Sequence, residues 1–341
     1  MKLTALAVVG LVGLQKPSMA PARRTRAAGG AELNPAVIAT SVCVAGSFEN
    51  LVNTQDFKAI HDLSIWCPDG HANAAKALAF RGLAHETPEV REKSVEELRV
   101  QIAALEEEDD PVAQEFVEFF VESLRDDAEV VRQEAVQALK DLGMTAIERQ
   151  VHAIASMCAD ALAEAAVDDE AKYVRTPAAE ALSAVAIRAL GSGRRDLAAD
   201  ILGKLEVRVF QDGENLVRAA VARALGQVAI AALERSDDSI AGQSLAALAE
   251  KGLGDGDVLV RWMAVDALGK LARRAKVMKK PDTVGLAMSA LKEKALGDEA
   301  DHIKRLAKEI LKQLKGKDDE FMPWGVASWI LGQEQAGVNS A

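Results

Sequence analysis

Apolar and polar positions along this chain recur in one fixed pattern. A β-branched residue is followed by a basic one, and small or apolar residues stand four, seven and eight positions after the first. The pattern reads Val131-Arg132 with Ala135, Ala138 and Leu139, then Val174-Arg175 with Ala178, Ala181 and Leu182. It returns as Val217-Arg218 with Val221, Ala224 and Leu225, as Val260-Arg261 with Ala264, Ala267 and Leu268, and as Ile303-Lys304 with Ala307, Ile310 and Leu311. The basic residues fall at 132, 175, 218, 261 and 304, a constant step of 43. Those offsets lie on one stripe of a helix with 3.6 residues per turn. Recurrence at a fixed step marks a repeat protein, in which each unit buries its oily side on its neighbours. Two worn copies precede the clean ones. One covers 70–78 with Ala74, Ala77 and Leu78, and the other runs through Val90-Arg91, Ser94 and Leu98, with Arg91 standing 41 residues before Arg132.

The periodicity predicts paired helices: 112–124 with 130–142, stopped at Gly143; 144–167 with 172–190; 195–210 with 214–233; 239–253 with 258–275; and 283–296 with 300–314. Pro111 sits where a first-turn proline belongs. Gly191, Gly193, Gly213, Gly254, Gly256 and Gly297 mark or follow helix ends, as left-handed caps do. Pro177 falls inside a helical stretch, where it delays the start or kinks the helix. Ahead of the repeats, 49–63 reads as one amphipathic helix carrying Leu51, Val52, Phe57, Ile60 and Leu63, while the β-branched run 35–45 fits helix or strand equally. The fold expected is all-α: a right-handed α-α superhelix of about six or seven helical hairpins. An N-terminal helical cap covers 32–70, the solenoid 71–315 and an aromatic tail 316–341.

Composition agrees with a helical array, since 49% of the residues are hydrophobic but only 4% aromatic, and there are nine prolines. Asp and Glu number 52 against 41 Lys and Arg, a formal net charge of −11, which disfavours phosphate backbones and leaves no nucleic-acid partner expected. Each repeated arginine follows an acidic turn: Asp127 before Arg132, 168–170 before Arg175, Asp212 before Arg218, and Asp255 and Asp257 before Arg261. A carboxylate at one turn can bond the guanidinium or the helix N-terminus of the next unit. Arg132, Arg175, Arg218, Arg261 and Lys304 then form a structural ladder, weakest at Lys304, where the planar fork is missing. The acidic clusters 106–110, 126–127, 168–170 and 237–238 otherwise read as solvated turns and helix N-termini. Cys43, Cys67 and Cys158 have no metal-ligand spacing, and their odd number argues for buried thiols rather than a disulfide framework.

The sequence Asp…Val-Arg-x-x-Ala-x-x-Ala-Leu-Gly, as at 255–269, on the second helix of a hairpin resembles the HEAT repeat, and the resemblance spans about residues 70–315. It implies an extended surface that binds other proteins, as a scaffold, assembly factor or adaptor, and it implies no catalysis by itself. HEAT-like deoxyhypusine hydroxylases hold iron through several His-Glu pairs. Among His61, His71, His85, His152 and His302 only His85-Glu86 makes such a pair, so no catalytic, metal or cofactor-binding residue is expected. HEAT-like DNA glycosylases present a basic face, whereas lysines and arginines here look spread along the chain. Bilin lyases that serve phycobiliproteins are also short HEAT-like proteins. They give the alternative function, with a phycobiliprotein or bilin as partner, although no residue carries over.

Two end segments complete the reading. Residues 1–20 have the parts of a signal peptide, with Lys2, the apolar run 3–14 and Ser18-Met19-Ala20; residues 21–31 carry Arg23, Arg24 and Arg26 without an acid. Joined, they resemble a bipartite plastid presequence. A secreted or lumenal protein with a basic mature end, or an uncleaved anchor, are the alternatives, and no stable membrane insertion is expected once the segment is removed. Around 66–71, Trp66, Cys67 and His71 fit a cap over the first repeat or a small site. In the tail, Phe321, Trp324 and Trp329 form either a cap over the last hairpin or a docking peptide, with Trp324 and Trp329 as the partner-binding residues.

Overall fold

A computed structural model describes residues 45–67, 70–103, 110–207 and 209–315. The presequence segment 1–31 and the aromatic tail, with Trp324 and Trp329, lie outside the described residues. Fourteen α-helices and no strand occur among those described, so the expected all-α class holds. The first pair is α1 (Ala45–Asn53) and α2 (Phe57–Trp66). Six hairpins follow: α3 (Gly70–Ala77) with α4 (Pro88–Ala103), α5 (Asp110–Ser123) with α6 (Glu129–Glu148), and α7 (His152–Asp168) with α8 (Lys172–Gly191). Then come α9 (Arg195–Val207) with α10 (Asn215–Glu234), α11 (Asp238–Ala247) with α12 (Val258–Val277), and α13 (Pro281–Glu293) with α14 (Asp301–Lys315).

The second helices carry the repeated pattern, and the stripe it predicts is the buried one. Leu139, Leu182, Leu225 and Leu268 are fully enclosed, each removing enough apolar area from water to favour folding by about 2 kcal/mol. Small residues set the spacing between neighbouring second helices. A Cβ added at Gly226 would lie 2.6 Å from the Cβ of Ala267, and one at Gly269 would lie 2.6 Å from Cδ1 of Ile310. The second helices therefore touch along much of their length, while the first helices meet each other only sparsely. An array packed tightly in one layer and loosely in the other bends toward the tight layer, which puts the second helices on the inside of the curve. Helix α10 is long and apolar enough to cross a membrane, but it is mostly buried between its neighbours, as the core helix of an array is.

Several boundaries differ from the sequence reading, each for a local reason. The stretch 49–63 is two helices, because Gln55 takes a left-handed conformation (φ 59°) and the Asp56 carboxylate caps α2 by accepting the Ala59 N–H at 3.0 Å. The copy at 70–78 is not a second helix. It belongs to the first helix of a hairpin, and its close, Leu78–Gly82, matches Leu248–Gly252 at the end of α11, both wound as a π-turn. Gly143 does not stop α6, which runs on to Glu148; this glycine lies against Cys158, where a Cβ would stand 3.1 Å from the Cys158 Cβ. Helix α8 starts in register with its siblings despite Pro177, so a delayed start is not what this proline produces.

Left-handed turns after second helices fall at Gln150, Gly193, Ser236 and Lys279, again 43 residues apart. Only one is a glycine, so of the six glycines read as caps Gly193 alone has positive φ (77°). Cys67 is disulfide-bonded, which corrects the buried-thiol reading for that residue, whereas Cys158 is a free, fully buried thiol.

Candidate binding surface

The turns that enter the second helices bring arginine and aspartate together across units. Nε and Nη2 of Arg132 donate to both oxygens of Asp169 at 2.8 and 3.2 Å. Arg175 grips Asp212 at 2.6 and 3.2 Å, Arg218 grips Asp255 at 2.7 and 2.9 Å, and Arg261 grips Asp298 at 2.6 and 3.2 Å. Arg91 makes a further rung with Asp126 at 2.6 and 2.8 Å. The third nitrogen, Nη1, turns back to the arginine's own turn, as Arg218 donates to the carbonyls of Asp212 and Gly213. Each aspartate also accepts the backbone N–H two residues on, at Ala128, Ala171, Glu214, Asp257 and Ala300, and so satisfies the start of its helix.

The direction of the ladder is thus opposite to the one the spacing suggested. A carboxylate holds the arginine of the unit before it, and at the first clean turn Arg91 takes both oxygens of Asp126 and also reaches the exposed Asp127. These carboxylates are not solvated: Asp169 is 5% and Asp298 6% exposed in its side chain, while Asp127 and Glu170 beside them are open to water. Burial would raise the carboxyls of Asp126, Asp255 and Asp298. Hydrogen bonds from the arginine and the backbone N–H outweigh it and hold all three below the ordinary carboxylate value. Among the described residues Lys304 joins no rung; its Nζ lies 3.1 Å from the exposed Asp301 on its own helix.

The ladder occupies one edge, and the inner face beside it is formed by the exposed rows of the second helices. Between α8 and α10 lies a notch of about 380 Å³, lined by Glu180, Ser183, Ala184 and Ile187 on one side and Ala220, Arg223 and Gln227 on the other. Small residues make it shallow and open, and the Arg223–Glu180 ion pair bridges it. Such a notch accepts a side chain from an extended segment, with polar groups at its rim to orient it.

The corresponding place between α12 and α14 has a different chemistry. Ile187 and Gln227 in the central notch correspond to Arg273 and Gln313, and Arg273 Nη1 donates to Gln313 Oε1 at 3.3 Å. Burial pushes the Arg273 guanidinium down, with only partial relief from Asp266. Residues 258–315 hold 14 Lys and Arg against 7 Asp and Glu, whereas 45–257 hold 21 against 40. The cations are therefore not spread evenly, and counting charge unit by unit would have exposed the asymmetry in the sequence.

Other side chains considered as chemistry fall elsewhere. His61 Nδ1 is 3.3 Å from Glu97 Oε1, and His71 Nδ1 is 2.7 Å from Oε1 of the fully buried Gln101, whose amide reaches Glu97 in turn. This network fastens α2 and α3 to α4. His85 Nδ1 accepts the Thr87 N–H at 3.1 Å in a turn. No group of three or more His, Cys, Asp or Glu able to hold a metal occurs among the described residues. The buried Cys158 thiol is pushed up to about 12 by desolvation, out of the range where a thiolate forms at neutral pH.

No known family model matches the chain, and no curated protein does. Solved structures of repeat proteins resemble it loosely. One is a designed armadillo repeat protein in complex with the peptide (KR)4, 20% identical with a TM-score of 0.42, over 70% of this chain and 98% of that one. Another, described as the TOG domain array that crescerin uses to regulate microtubules in the primary cilium, is 18% identical with a TM-score of 0.46, over 73% and 97%. A third, an engineered protein, is 24% identical with a TM-score of 0.43, over 71% and 98%. The likeness is to helical repeat architecture, and it assigns this chain no partner and no activity.

Proposed function

We propose that the chain is a protein-binding scaffold or adaptor that receives an extended segment of a partner along its inner face. The observation that carries this reading is the notch between α8 and α10, an open, small-residue surface beside a ladder of buried ion pairs. The ladder makes the array rigid enough to present that surface without paying for order on binding. The test is affinity purification with mass spectrometry from the native cell, comparing the unmodified chain with Ala184→Arg and Gln227→Trp, which fill the notch, and with Glu164→Lys on a first helix. Partners lost by the notch variants and kept by Glu164→Lys support the proposal. Equal retention by all variants overturns it.

The pigment-attachment alternative gains no residue from the described structure. We also propose delivery to a plastid through residues 1–31, which N-terminal sequencing of the native protein tests: a mature end beyond residue 31 supports two-step removal, and an end at residue 21 supports simple export.

A further inference from the structure

We propose that residues 318–331 of this chain fold back over the C-terminal end of the described array. Asp318, Asp319 and Glu320 lie on the lysines of α14, and the aromatic residues after them lie on α13. The inference is independent of the notch between α8 and α10.

On the side where a further unit would stack, the last described hairpin exposes places that its siblings cover. On α14 the exposed Lys308, Lys312 and Lys315 stand where α12 has Val265, Gly269 and Ala272, all buried. That stripe faces onward, because the place of Gly269 abuts Ile310 of the following second helix. On α13 the places of Val284 and Met288 are enclosed in the three units before. Ala155, Ala198 and Ala241 precede Val284 at steps of 43 and are at most 1% exposed. Ala159, Leu202 and Leu245 precede Met288 in the same way and are at most 6% exposed. Val284 and Met288 themselves are only half-buried. A terminal unit left to water carries a polar outer face. Here a valine larger than its alanine siblings and a methionine stay apolar beside a row of lysines. The face therefore fits an occupant that is acidic at one part and apolar at the next.

The chain supplies such a segment at that place. Lys315 ends α14, Gly316 and Lys317 follow, and then come Asp318-Asp319-Glu320, Phe321-Met322-Pro323-Trp324 and Trp329-Ile330-Leu331. A glycine just past a helix end lets the chain reverse. The helices of the hairpin run in opposite directions, so α14 ends near the start of α13, where Val284 lies. Residues 318–331 span about 45 Å when extended, against roughly 22 Å for α14, enough to cross the whole face.

The acids already near this face are taken or turned away. Asp301 is at the other end of α14 and pairs with Lys304 at 3.1 Å, and Glu309 accepts the Gln313 amide at 3.1 Å. Asp282 and Glu293 fall on the side of α13 opposite Val284. Lys308, Lys312 and Lys315 make no ion pair among the described residues. Attachment at Lys315 gives the segment an effective concentration on the order of millimolar here, well above that of a second copy in dilute solution.

Hydrogen exchange read by mass spectrometry on the whole chain tests the proposal. Residues 320–331 should exchange at least tenfold more slowly than the same sequence as a free peptide, at every protein concentration. Trp324→Ser with Trp329→Ser should speed exchange over 284–291 at least threefold and leave α8 and α10 unchanged. Lys312→Glu with Lys315→Glu should speed exchange of the tail at least threefold, and adding Asp318→Lys with Asp319→Lys should restore the protection. A tail that exchanges as fast as the free peptide overturns the proposal, and that measurement needs no variant to fold. Protection that grows with protein concentration overturns it in favour of a second copy. Loss of protection that the swapped charges do not restore overturns the pairing with α14.

Discussion

The middle of the array and its C-terminal end use the same repeat positions for opposite ends. In the middle, Arg175 and Arg218 are locked to buried aspartates of the next unit, and Gly226 admits a neighbouring helix at close range. At the end, Lys304 stands where the ladder arginine would be, Lys308 where a buried apolar residue would be, and Arg273 replaces an isoleucine of the inner face. A repeat position dictates burial only while another unit covers it. On α14, the last described helix, the same stripe carries the exposed Lys308, Lys312 and Lys315.

Breaking a middle rung should have the largest effect. Arg175→Ala leaves Asp212 buried without its cation and is expected to cost about 3 kcal/mol, read as a shift of the urea midpoint; Lys304→Ala at the end should cost less than about 0.5 kcal/mol. Equal losses at both places would remove the contrast. Gly226→Val comes next: its branched side chain must displace Ala267, with a cost on the order of 2 kcal/mol. Gly203→Ala, in helix α9 with nothing within 4 Å of the new Cβ, should instead stabilise by roughly 0.5 kcal/mol.

Acid should act through the rungs as well. Asp126, Asp255 and Asp298 have lowered folded-state values, so their stabilisation is complete above the unfolded carboxylate value, near about pH 4, and disappears as pH falls through the folded values. Thermal melts should be level above about pH 5 and decline below about pH 4, and Asp255→Asn should reduce that decline while lowering stability at neutral pH. The left-handed turns should respond less than the middle rungs. Ser236→Gly and Lys279→Gly should each stabilise by about 0.5 kcal/mol, and Gly193→Ala should destabilise by about 1 kcal/mol.

Much of the fold was legible because helical periodicity is a local property: Val217, Val221, Ala224 and Leu225 share a stripe whatever surrounds them. The direction of the ladder was not. Asp212 precedes Arg218 by six residues yet bonds Arg175, which is 37 residues earlier, and only the stacking of units brings that pair together. The left-handed turns were hidden for a related reason. Gln150, Ser236 and Lys279 adopt positive φ because the preceding helix and the next one fix the chain direction, a demand their side chains do not announce. Within the candidate surface, the acidic body and basic end could have been found by counting, but the half-buried state of Arg273 could not.

By itself, then, the sequence determined the repeat step, the class of element and the residues that face inward, since each follows from spacing along one chain. Tertiary structure alone decided which carboxylate each arginine holds, which acids leave water, that Gly143 lies inside a helix, and that one arginine of the inner face has an amide for its partner. Those outcomes depend on distances between units, and burial in a stack is set by the neighbouring unit as much as by the residue itself.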